Sequence, residues 1–120
     1  MGRKIESPVE KFAGHVVIAD PMTMPQVLAF EDALIKAGAF YEEENGMRIL
    51  KRDAMWGAPD SVYMSGVFPC VEEWKLKNVP ENPDKDNFYF SPRPASHTLV
   101  QWLVNEILKV YWGEVEVPNE

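Results

Sequence analysis

Hydrophobic and polar positions along this chain fall into segments of different period. Gly14 to Ala19 (GHVVIA) is a short β-branched run that stops at Asp20-Pro21, predicting a strand followed by a turn. Thr23-Met24-Pro25-Gln26 then has the form of a capping box, with Thr23 accepting from the backbone and Gln26 reaching back. Pro25 in the first turn loses no needed N–H. Val27, Phe30, Leu34 and Ala37 follow at helical spacing, and Gly38 supplies a C-terminal stop. Beyond it, Asn45-Gly46 lies between two short segments of Phe40 to Leu50, which favours a hairpin with a type I′ turn. Trp56 to Asp60 reads as a turn, Ser61 to Phe68 as extended chain, and Glu73 to Lys77 as a half-buried strand by its alternation.

The last third of the chain is the most apolar. Leu99 to Tyr111 reads LVQWLVNEILKVY, with Gln101, Asn105 and Lys109 forming the clearest polar row. A surface helix usually carries an apolar stripe about 100° wide. Here apolar side chains cover most of the circumference, so the helix is expected deep in a small core or against another chain. On the second alternative, Leu99, Trp102, Leu103, Ile107, Val110, Tyr111 and Trp112 are the partner-binding residues, joined by Phe88 and Phe90 from the aromatic run ahead of the helix.

These elements predict an α+β fold: a small, mainly helical single domain with a short strand or hairpin element and a C-terminal apolar helix. Residues 1–12 are expected as a flexible arm and 13–113 as the globular domain. Within it, a proline-rich linker over 80–95 leads to the helix at 96–112, which Gly113 ends. Residues 114–120 form an acidic tail.

The 120 residues allow one hydrophobic core, and 46% hydrophobic with 26% charged content is that of a folded chain. The formal charge of −7, with no Lys/Arg cluster, disfavours nucleic acid as a partner. No run approaches the roughly 20 apolar residues of a membrane span, and MGRKIESPVEKF lacks the apolar centre of a signal peptide. A single cysteine, Cys70, cannot close an intrachain disulfide. A cytoplasmic location is therefore expected.

Candidate chemistry is thin. His15, Cys70 and His97 stand far apart, without metal-ligand spacing. Asp84 to Asn87 lacks the glycine and closing glutamate of an EF-hand loop. The carboxylate pairs Glu31-Asp32 and Glu72-Glu73 are adjacent residues, which diverge on a helix and oppose each other on a strand. Cys70 has no neighbouring cation to lower its pKa and reads as a packed thiol. The residues thus point to no enzyme, no cofactor and no metal. Met22, Met24, Met47, Met55 and Met64 have two uses, core filling or an adaptable surface for helical partners.

The strand, Asp-Pro and capped helix (VVIADPMTMPQVLAFEDAL), the Val71, Trp74 and Leu76 segment, the proline-rich stretch and the terminal helix (HTLVQWLVNEILKVY) together resemble the small acidic tail assembly chaperones of long-tailed bacteriophages and prophages. The resemblance implies binding to a long, helical tape-measure protein during tail assembly, self-association into a homo-oligomer, and a mainly helical fold without catalytic residues. Two other readings compete with a chaperone or adaptor. One is a structural virion component, a tail or head-completion subunit. The other is a small ligand-binding domain or enzyme with a pocket lined by Trp56, Trp74 and Phe88 to Phe90.

Overall fold

The computed structural model describes residues 2–42, 48–50, 57–84 and 93–115. Strand β1 (Gly2–Glu6) pairs antiparallel with β2 (Gly14–Ala19), and β2 pairs antiparallel with β5 (Val71–Leu76), giving a three-stranded sheet in the order β1-β2-β5. Between β2 and β5 come helix α1 (Met24–Lys36), the short ribbon of β3 (Phe40–Glu42) and β4 (Arg48–Leu50), and helix α2 (Asp60–Val67). Helix α3 (Arg93–Val115) closes the described chain. The fold is α+β, as the pattern predicts.

The sheet has one dry face. Residues directly opposite each other point to the same side, so Ile5, Val16 and Trp74 form one apolar row, continued by Ile18 and Leu76. The other face carries Lys4, Glu6, His15, Glu73 and Lys75 around the half-buried Val17. All of the dry row belongs to a single core with Phe12, Phe30, Leu34, Tyr63, Val67 and the inner side of α3.

Helix α1 begins and ends as its sequence dictates. Thr23 Oγ1 accepts from Gln26 N, and the Gln26 side chain accepts from Thr23 N at 2.8 Å. At the other end Gly38 takes φ +81°, and the N–H groups of Gly38 and Ala39 reach the carbonyls of Ile35 and Leu34. That is a Schellman closure, which a Cβ at Gly38 would strain.

Five expectations need correcting. Residues 2–12 of the expected flexible arm over 1–12 are ordered: Ile5 is buried, Phe12 is 1% exposed, and β1 is held by backbone pairing that a polar sequence does not reveal. Ser61 to Phe68 is helical rather than extended. Tyr63, Met64 and Val67 are buried at i, i+1 and i+4, and the turn Phe68–Cys70 leads directly into β5. The alternating strand starts at Val71 and ends at Leu76, not Glu73 to Lys77. Helix α3 runs from Arg93 to Val115, beyond the expected 96–112, passing through Gly113 without a positive φ. Finally, the ribbon pairs Glu42 with Arg48, whereas an unbulged two-residue turn at Asn45-Gly46 would set Glu42 opposite Ile49. The turn residues themselves lie outside the described ones, as do 85–92 of the proline-rich segment.

Gly66 is what lets α2 lie against α1. A Cβ there would stand 2.6 Å from Ala33 Cβ and 3.1 Å from Phe30 Cα, and the second contact is backbone that cannot rotate away. Gly66→Val should therefore destabilise the fold by about 1–3 kcal/mol, the usual cost of overpacking. Urea denaturation of the variant measures it, and an unchanged midpoint would show that the helices separate freely.

Candidate protein-binding surface

The residues assigned to partner binding divide by position. Leu99 and Leu103 are 0% exposed and Ile107 1%, and Val110 and Tyr111 are also buried. These five serve the protein's own core and are not available to a partner. Trp102 and Trp112 lie on the rim of α3, half-buried against that core. Phe88 and Phe90 lie outside the described residues. The physical reason is geometric: the sheet, α1 and α2 converge on α3 and cover most of its apolar circumference, so its greasy sequence marks the centre of the core.

Tyr111 shows how firmly the end of α3 is tied down. Its hydroxyl donates to Glu31 Oε2 on α1 at 2.6 Å, and its ring meets Phe30 at 6.0 Å and Trp112 at 5.3 Å. The charged acceptor makes this a strong hydrogen bond. Truncation inside this packing is expensive. Leu103→Ala should cost about 2–5 kcal/mol, read as a loss in unfolding free energy.

Exposed apolar surface appears instead on α1. Met24 is 67% exposed, Leu28 47% and Ile35 38%, the large exposed hydrophobics among the described residues. At 100° per residue these three fall within about 40° of one another around the helix. They form a ridge on the side away from Phe30, Ala33 and Leu34, with exposed Asp32 and half-buried Glu31 beside it. The sequence pattern drew attention to the buried stripe of this helix; the exposed ridge was legible only as the leftover apolar positions of its opposite side.

The candidate chemical residues are dispersed. His15 Nε2 pairs with Glu73 Oε2 at 3.3 Å on the solvated sheet face, while His97 Nδ1 meets Asp60 Oδ1 at 2.8 Å where α3 starts beside α2. Cys70 is buried elsewhere, its Sγ donating to Gln26 O at 3.7 Å. Gln26 Nε2 also donates to Pro69 O at 3.0 Å, so the cap of α1 clamps the turn that holds the cysteine. Among the described residues no group of three or more His, Cys, Asp or Glu could hold a metal ion. Nor is any described helix long and apolar enough to cross a membrane.

An open cleft of about 340 Å³ lies between β5 and the segment at Glu81 to Pro83, lined by Phe68, Val71, Glu72, Glu73, Trp74 and Lys75. Trp74 is buried in the core, and its ring meets Phe68 with centroids 6.3 Å apart. The proposed companions Trp56 and Phe88 to Phe90 lie outside the described residues. No family model, no curated protein and no solved structure matches the chain.

Burial pushes the Cys70 thiol from its ordinary 9.0 up to about 12. Desolvation penalises the thiolate, so the folded protein holds its proton where the unfolded chain releases it. The resulting stability is complete below pH 9 and is lost as pH rises toward 12. Unfolding midpoints should fall more steeply over that range in the wild type than in Cys70→Ala. Native protein should resist iodoacetamide until denatured.

Proposed function

We propose that this chain is a non-enzymatic binding protein of the assembly-chaperone or adaptor kind, which holds an apolar helical segment of a partner on the outer face of α1. The observation that carries the reading is the Met24, Leu28 and Ile35 ridge. Three large apolar side chains face solvent on one side of a helix whose other side is fully used by the core. Apolar surface on a helix pairs with the apolar stripe of a second helix, the mode by which many proteins capture amphipathic segments. Two of the three residues are Met and Leu, flexible side chains that adapt to a partner's contour. Glu31, Asp32 and the net charge of −7 favour a partner with basic flanks and keep the free protein soluble.

On the resemblance to phage tail assembly chaperones, the partner we propose is a long, helical tape-measure protein, kept soluble in the cytoplasm until tail-tube subunits enclose it. The binding residues proposed here are those of α1 and not the buried positions of α3. Trp102 and Trp112 extend the list as half-exposed rim aromatics.

The test is co-expression with a tape-measure-type partner. Wild type should raise the partner's soluble fraction and be retained with it on affinity resin. The double variant Met24→Glu and Leu28→Glu should lose both effects while keeping the wild-type melting temperature within a few degrees, because both side chains already face water. Undiminished capture by the double variant refutes the α1 surface. Finding the protein at stoichiometric copy number in mature virions would favour a structural subunit.

A further inference from the structure

Resting on the reading of α1 as the docking helix, we infer that the partner helix carries one lysine or arginine inside its apolar seam, set opposite Glu31 and Asp32. Met24, Leu28, Glu31 and Ile35 follow one another at spacings of four, three and four residues. That alternation is the one by which a helix lays a continuous seam against a second helix. At 100° per residue the four positions fall within about 60° around α1. Three of the four are apolar and exposed, and the third in order is a half-buried carboxylate.

The acidic layer is fixed in place. The Tyr111 hydroxyl on α3 donates to Glu31 Oε2 at 2.6 Å, which holds that carboxylate at its height along α1. Asp32 stands on the other flank of the seam, exposed and without an ion pair among the described residues. Lys36 lies about 100° round from Ile35, outside the seam. An apolar residue facing this layer would strip water from the two carboxylates without a cation in return. A lysine or arginine there brings its own charge-assisted hydrogen bonds. The three apolar layers alone accept a partner helix in several registers; the acidic layer selects the one that brings a basic residue alongside.

A second copy of this chain does not meet that requirement through α1. Paired parallel, it sets Glu31 against Glu31; paired antiparallel, it sets Glu31 against Leu28. The occupant is therefore a different chain, an amphipathic helix with two apolar layers on one side of its basic residue and one on the other. The net charge of −7 draws a basic helix in from solution, but only the layer at Glu31 and Asp32 gives its cation a position.

Fluorescence anisotropy of labelled synthetic helical peptides against the full chain tests this. Each peptide has about three heptads with leucine along the seam, and is used where it is monomeric alone. Three differ at one central seam position, which is lysine, leucine or glutamate; a fourth keeps leucine there and carries the lysine on its outer face. The seam-lysine peptide should bind about tenfold more tightly than the leucine and outer-lysine peptides, with the glutamate peptide weakest. Salt should shrink that preference by screening. Glu31→Gln with Asp32→Asn keeps an acceptor for Tyr111 and should erase the preference while the leucine peptide still binds. Asp32→Asn alone, which should reduce the preference, repeats the experiment should the pair lose its native circular dichroism. Equal binding of the seam-lysine and outer-lysine peptides overturns the inference, because charge then acts without position. So does tighter binding of the leucine peptide, or a preference that survives in the neutral variants. Each of these results leaves the α1 ridge standing, provided Met24→Glu with Leu28→Glu abolishes binding. If none of the four peptides binds, the ridge and the inference fall together.

Discussion

Burial of α3 is the constraint on which the rest of the structure depends. A helix with Leu99, Val100, Leu103, Val104 and Ile107 all but inaccessible needs cover from several directions, and a domain this small has few elements to provide it. The sheet gives up its dry face, α1 contributes Phe30 and Leu34, and α2 contributes Tyr63 and Val67. Gly66 removes the side chain that would hold α2 away from α1, which keeps this cover closed. Even the N-terminal segment is drawn in, since Ile5 and Phe12 join the same core. Once α3 is enclosed, the large apolar side chains left exposed among the described residues are those on the outside of a covering element, α1.

Polar detail follows the same division between inside and outside. The buried thiol of Cys70 is neutral because charge there would be desolvated, and the Gln26 clamp holds its turn against α1. The histidines, by contrast, sit beside carboxylates at half-exposed positions, His15 on the wet sheet face and His97 at the junction of α2 and α3. No shared cavity gathers the three groups, and they meet partners on different elements. The charges of the molecule are instead spread over its surface, and both edge strands of the sheet carry acidic and basic residues.

Much of this was legible in the residues where a local rule suffices. Thr23, Pro25, Gln26 and Gly38 fix both ends of α1 through their own backbone chemistry, so the sequence alone locates it. The β-branched Val16 to Ile18 likewise marks the central strand. Segments stabilised from outside were misread. GRKIE has one apolar residue and becomes a strand only because β2 offers it a ladder. SVYMSGV has weak helical preference and is helical because Gly66 fits against Ala33. The same limit explains the candidate site. The sequence shows that α3 is apolar on most sides, but it does not show how many sides its own fold covers, and that count separates a core helix from an interface.

A small protein that commits its most apolar helix to its own interior leaves little apolar surface outside it, and what is left is set by the faces that the covering elements do not use. On α1 that remainder is a ridge of Met24, Leu28 and Ile35, within about 40° around the helix. A ridge of this kind offers adhesion with little geometric demand, which suits a long partner presenting many similar helical segments. Each contact is weak alone, and several become effective together only where one long partner holds them close.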